Sequence, residues 1–148
     1  MNFDAATWLG DSFVGGEELK PDAIAAVSNF TLMWNLFEGV LCPEGANASS
    51  LEDLAVQVTQ PRNGPPPKDN LKEFVCFWTH RYRSGERFND RFEGLNFRRP
   101  DRKSLVETVL SGKSEAPEDE ALAILLIVYR LRNNLFHGLK TISMLNDQ

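Results

Sequence analysis

Wherever a hydrophobic pattern exists along this chain, its apolar positions recur at three- and four-residue spacing. Behind Pro21 and Asp22, residues Ile24, Val27, Phe30, Trp34, Phe37 and Leu41 form one such row. A proline and an acid in the first turn suit a helix N-terminus, so the row predicts a long amphipathic helix from Pro21 to about Leu41. Leu71, Phe74, Val75, Trp78 and Tyr82 repeat the period between Lys68 and Arg83. A shorter helix is expected from Asp101 to Leu110, with Leu105, Val106, Val109 and Leu110 inward and Gly112 at its stop. Phe3, Trp8, Leu9 and Phe13 suggest a short helix or hooked arm within Asn2 to Val14, ended by Gly15 and Gly16. No segment alternates with period two. The expected fold is therefore all-α, a bundle of about four to five helices in a single domain spanning 1–148.

Two stretches break the pattern. Pro43 to Asn70 holds an Ala-Ser-Ser run and the cluster Pro61 to Pro67. It reads as a long surface loop or lid, with one or two helical turns around Leu51, Leu54 and Val56 capped by Ser49 or Ser50. Ser84 to Pro100 is rich in Arg and Phe. It reads as an irregular or short-helical connection whose phenylalanines dock while its arginines stay in water.

The last helix opens at Pro117, with Glu118, Asp119 and Glu120 in its first turn, and runs through nine consecutive apolar residues from Ala121 to Tyr129. Ile124, Ile127, Val128, Leu131 and Leu135 form a row sufficient for an intramolecular core. Leu122 and Leu126 point elsewhere and lead to Arg130. A helix apolar all round must be covered all round. Either it is the central helix of the bundle, or one side closes against a second copy, and both can hold.

Composition narrows the function classes. The chain has 148 residues, 42% hydrophobic and 25% charged, which is ordinary for one soluble globular domain. The apolar run Ala121 to Tyr129 is about half of the ~20 residues that cross a bilayer, so no membrane partner is expected. No basic region precedes an apolar stretch at the N-terminus, which makes the cytoplasm the default location. Cys42 and Cys76 lie in apolar surroundings and are read as small core residues of a reducing compartment. Cysteines and histidines stand singly, so neither metal nor cofactor is expected. The net charge of −5 opposes bulk binding to nucleic acid, but the charge is sorted. Thr79 to Lys103 carries eight basic and four acidic residues, a net +4, leaving −9 on the remainder. A basic patch on an acidic body follows.

The chemistry concentrates at the end of the last helix. Tyr129-Arg130-Leu131-Arg132-Asn133-Asn134-Leu135-Phe136-His137-Gly138-Leu139-Lys140 places cations, amides and one of two histidines after the apolar run. At 100° per residue, Arg130, Asn133, Asn134 and His137 fall within about 100° of one another, and Arg132 lies about 140° from His137. Guanidinium grips two phosphate oxygens at once, and imidazole exchanges a proton near neutral pH. His80 has no partner pattern and is read as a surface or boundary residue. Trp34, Phe37, Phe77 and Trp78 are read as core, and Glu38 as a carboxylate within reach of the motif arginine.

Arg132-Asn133-Asn134-Leu135-Phe136-His137 is an Arg-x4-His motif with a polar residue directly after the arginine. It resembles the signature of the HEPN superfamily, small helical domains that include many RNases. The likeness covers roughly Leu125 to Lys140. It implies a helical bundle that dimerises through the motif helix, bringing two motifs together across a cleft that cuts single-stranded RNA without a metal. Arg132, His137 and Asn133 would then be catalytic, and Arg130, Asn134 and Lys140 would bind substrate. The implied partners are RNA, a second copy of the chain and an antitoxin or other partner protein, in a toxin or antiviral defence setting. The alternatives are a non-catalytic HEPN module that binds RNA, nucleotide or protein, and a purely structural helical dimer. Two departures stand out. Leu139 occupies the position where one subgroup carries a modifiable tyrosine, and the chain ends at Gln148 where relatives often continue, as a minimal domain or a fragment would. Arg130 satisfies a longer Arg-x6-His form favoured by helix geometry, whereas the polar residue after the arginine favours Arg132.

Overall fold

The computed structural model describes residues 4–12, 18, 20–60 and 68–136. Its elements in order are α1 (Ala5–Ser12), α2 (Pro21–Leu41), α3 (Ala48–Thr59), α4 (Lys68–Tyr82), β1 (Arg83–Ser84), β2 (Arg87–Phe88), α5 (Asp90–Glu93), a 3-10 turn (Arg99–Asp101), α6 (Lys103–Leu110) and α7 (Pro117–Phe136). The fold is all-α, with one two-residue antiparallel hairpin between α4 and α5. Pro21 and Pro117 start α2 and α7 where the sequence places them. His137 and Lys140, central to the motif, lie outside the described residues, as does the proline cluster 61–67.

α7 is the axis of the bundle, with α3, α6 and α4 packed around it. Its buried apolar residues are Ala121, Leu122, Ala123, Leu126 and Ile127, which form one core with Leu51, Leu54 and Ala55 of α3 and Val106, Val109 and Leu110 of α6. Of the row expected to face the core, Ile127 does so and Ile124, Val128, Leu131 and Leu135 are only half-buried, while the row expected to point elsewhere is buried. Leu122 and Leu126 are core, while Leu125, Val128 and Leu131 are half-buried and line a groove of about 390 Å³ with Phe30, Met33, Trp34 and Phe37 of α2 and Trp78 of α4.

α3 is a further correction. The stretch expected to be a loop with a turn or two is a 12-residue helix that buries Leu51, Leu54, Ala55 and Thr59. Its N-cap is Asn47, whose side chain accepts from the amides of Ser49 and Ser50 at 3.0 and 3.1 Å, while the Ser50 hydroxyl accepts from the Asn47 amide. This capping box satisfies orphan donors of the first turn and starts the helix cleanly. The Ala-Ser-Ser run, within the stretch expected to be a surface loop or lid, is the opening of a core helix.

α2 has its expected length but not its expected cover. Of its residues only Trp34 is buried, while Leu32, Met33, Leu36 and Val40 are 59%, 64%, 55% and 74% exposed. By length and composition α2 also meets the requirement for a membrane span, with a mean hydropathy of 1.2 over its most apolar window. Phe74 and Phe77 of α4, read from sequence as core, are also more than half exposed, because α4 buries Tyr82 and packs Leu71, Val75 and Trp78 against the core on its other side. Cys76 is exposed as well, with Sγ 3.5 Å from His80 Nδ1, whereas Cys42 is buried as expected.

The connection from α4 to α6 behaves as its composition predicts. Phe92 is fully buried, with Phe88 and Phe97 packed on it at centroid distances of 4.2 and 5.6 Å. Arg87, Arg91, Arg98 and Arg99 are exposed and form no ion pair among the described residues. Arg83 has a structural task instead, donating Nη1 to the Leu110 carbonyl at the C-terminus of α6.

Candidate functional site

The last two turns of α7 carry four polar residues that the fold divides between two environments. Arg130, Asn133 and Asn134 continue the buried stripe begun by Ala123, Leu126 and Ile127, because positions three and four apart share a helix face. Arg132 lies on the opposite flank and keeps 28% of its side chain exposed.

On the inner side, Arg130 is 2% exposed. Its Nε donates to the Leu95 carbonyl at 3.0 Å, its Nη2 to Asn134 Oδ1 at 3.4 Å, and its Nη1 lies 3.2 Å from Asp101 Oδ2 without hydrogen-bond alignment. Asn134 donates Nδ2 to the carbonyls of Gly94 and Leu95 at 2.9 and 3.1 Å. The Asp101 carboxylate also accepts from the Arg98 amide at 2.7 Å. Arg130, Asn134 and Asp101 therefore hold the 94–101 connection against the end of α7. Burial pulls the Arg130 guanidinium below its ordinary range, and the Asp101 charge opposes that pull. As placed, Arg130 and Asn134 spend their polar groups inside the domain rather than on substrate. The polar face that helix geometry made a candidate binding surface is a polar core, because a segment 35 residues upstream supplies its acceptors.

The outer side is built differently. Arg132 donates Nη1 to Asn133 Oδ1 at 3.0 Å and Nη2 to Glu38 Oε2 at 3.5 Å, and its Nε has no acceptor among the described residues. Its guanidinium carbon lies 5.0 Å from the Phe136 ring centre and 5.9 Å from that of Trp34. Glu38 is fixed in turn by α2 and by the turn into α3. Its Oε2 accepts from Trp34 Nε1 at 2.8 Å and its Oε1 from the Ala46 amide at 3.0 Å. The Ala46 amide bond holds the Glu38 carboxyl below the usual range, against a desolvation penalty, with Trp34 and Arg132 adding to the lowering. Glu38 was the carboxylate expected near the motif arginine, and the structure places it there. What sequence reasoning missed is Trp34, read only as core, whose indole both fixes Glu38 and lies under Arg132.

The resulting arrangement is an arginine held in position by one amide, one carboxylate and two aromatic faces, with part of its surface open. A guanidinium so fixed is organised to meet a planar or tetrahedral oxyanion, since little rotamer freedom remains to be lost. His137 follows Phe136 directly in the chain. Among the described residues no group of three or more His, Cys, Asp or Glu side chains is placed to hold a metal ion.

Comparisons with family models, with curated proteins and with solved structures return no match to this chain.

Proposed function

We propose that this protein is a metal-independent endoribonuclease acting on single-stranded RNA, with Arg132 as its phosphate-gripping residue and His137 as its proton-transfer residue. The reading rests on the Arg-x4-His sequence and on one observation that favours this register: of the two motif arginines, Arg132 is open and held in place while Arg130 is consumed internally.

In this mechanism the ribose 2′-oxygen attacks the adjacent phosphorus, forming one P–O bond as the bond to the 5′-oxygen breaks. A base takes the 2′-hydroxyl proton and an acid supplies one to the departing 5′-oxygen. His137 fills one of these roles, and its counterpart in a second copy or the 2′-hydroxyl network fills the other. Arg132 stabilises charge on the phosphoryl oxygens, and Asn133 orients it through the bond to Nη1. The exposed Arg87, Arg91, Arg98 and Arg99 supply a backbone track that adds salt-sensitive, sequence-independent affinity.

The working unit is a homodimer in the cytoplasm. α7 is surrounded within the chain over much of its length, and α2 leaves apolar surface open, with four large aliphatic side chains more than half exposed. Patches of this kind mark association surfaces. The same helix supplies Trp34 and Glu38 to the Arg132 site, so a second copy seated on α2 brings two sites close together.

A second reading draws on the Glu38 contact, which partly neutralises Arg132. In it the domain is a non-catalytic module that binds RNA or a partner protein such as an antitoxin. Incubating the protein with single-stranded RNA in EDTA separates the two. Products ending in 2′,3′-cyclic phosphate, made by the wild type and absent with His137→Ala, support the enzyme. RNA binding without cleavage supports the module.

A further inference from the structure

Beside the Arg132 site lies a second cavity of about 460 Å³ between the start of α3 and the turn that enters α6. Tyr129 gives it an aromatic wall, Pro100 an apolar edge, and Asn47, Glu52 and Arg102 its polar rim. Two lines of contact tie this cavity to Arg132. Tyr129 is one helical turn before Arg132, and its ring centre is 6.2 Å from that of Trp34, over which the Arg132 guanidinium sits. On the other side, Glu38 contacts both Arg132 and the Ala46 amide, and the next residue, Asn47, lines the cavity.

The polar rim has a definite donor and acceptor order. Arg102 and Glu52 form an ion pair at the cavity wall, with 43% and 46% of their side chains exposed. Beyond the Nη1–Oε1 contact that joins them, the guanidinium keeps further N–H donors and the carboxylate keeps Oε2 as an acceptor. A guanine base matches this order, since its O6 and N7 accept from a guanidinium and its N1–H and N2–H₂ donate to a carboxylate. Adenine offers a single amino donor, and cytosine lacks the second ring that would extend along Tyr129. The volume lies within the range of pockets that enclose small ligands. A base against Tyr129 also gains stacking, a contribution any base can make, so selectivity falls to Glu52 and Arg102.

We infer that this cavity is a guanine-selective nucleoside pocket, and that the nucleotide it holds places its phosphate at Arg132. The phosphate half of this statement rests on the ribonuclease reading; the base half does not.

The test is calorimetric titration with guanosine, adenosine, cytidine and guanosine 3′-monophosphate. Saturable one-to-one binding of guanosine is expected, with adenosine and cytidine at least about tenfold weaker, as a lost hydrogen bond to a charged group would cause. Glu52→Gln and Arg102→Gln, on exposed side chains, should weaken guanosine by a similar factor with unchanged circular dichroism. Arg132→Ala should weaken the 3′-monophosphate while leaving guanosine unchanged. No saturable guanosine binding, or binding indifferent to Glu52→Gln, overturns the pocket. Selective guanosine binding without RNA cleavage leaves the pocket standing and removes the ribonuclease. Cleavage without base preference, equal in Glu52→Gln, does the reverse.

Discussion

Arg130 and Arg132 sit two residues apart on one helix, and the fold gives them opposite occupations. Arg130 is enclosed, linked to a backbone carbonyl, an amide and a carboxylate, and its net effect is to fasten the 94–101 connection. Arg132 is half-open between two aromatic rings, with a longer contact to its carboxylate. The difference arises from helix phase. A 200° rotation separates the two side chains, so one continues the core stripe and the other meets Glu38 and Trp34 of α2. Residue type alone therefore does not identify a phosphate-binding arginine. What decides is whether neighbouring segments have already supplied it with acceptors.

The largest effect that can break this comparison is on stability. Arg130→Ala should cost about 3–5 kcal/mol in urea denaturation, because Asp101 would be left buried without its counter-ion. Arg132→Ala, at a partly solvated pair, should stay within about 1 kcal/mol of wild type. Equal losses for the two variants would erase the distinction. Asn134→Ala comes next, at about 1–3 kcal/mol, since the Gly94 and Leu95 carbonyls lose a donor and Arg130 an acceptor.

The exposed face of α2 allows a test of association. Leu36→Glu introduces a charge on a side chain that is 55% exposed, so the folded protomer should tolerate it. Sedimentation velocity should show the wild type as a dimer and Leu36→Glu as a monomer with unchanged helicity. A wild type that sediments as a monomer, or that floats with lipid vesicles, would instead assign α2 another cover.

The smallest effect concerns pH. The folded Glu38 carboxyl titrates below its ordinary value of 4.5. Its contribution to stability is therefore fully present above that value and fades as pH falls through the lower folded one. The proton NMR shift of the Trp34 indole N–H, which donates to Glu38, should follow a titration whose midpoint lies below pH 4.5. Movement centred above 4.5 would contradict the assigned contacts.

Much of the architecture was legible in the sequence because helices announce themselves locally. Pro21 and Pro117 with acids behind them, and apolar rows at three and four residues, gave α2, α4 and α6 within about two residues of their ends and the start of α7. α3 was read as only one or two turns because its start depends on a reciprocal side-chain cap between Asn47 and Ser50, upstream of the serines expected to cap it. The remaining errors concern what covers a face. α2 shows a fine amphipathic row, yet periodicity cannot say whether a neighbour arrives. Arg130 and Asn134 looked available because polar residues on a helix usually face water, and their cover comes from Gly94, Leu95 and Asp101, about 30 to 40 positions away. Glu38 was legible as a reaching carboxylate, whereas Trp34 hid its role behind its hydrophobicity.

The most direct test of the central claim is cleavage of a single-stranded RNA in EDTA by wild type and by folded Arg132→Ala at matched concentration. Removing one well-placed donor should lower the rate of cyclic-phosphate product formation about 10²–10³-fold, with the denaturation midpoint nearly unchanged. Cleavage by Arg132→Ala at the wild-type rate would contradict the assignment of Arg132 as the residue that grips the phosphate.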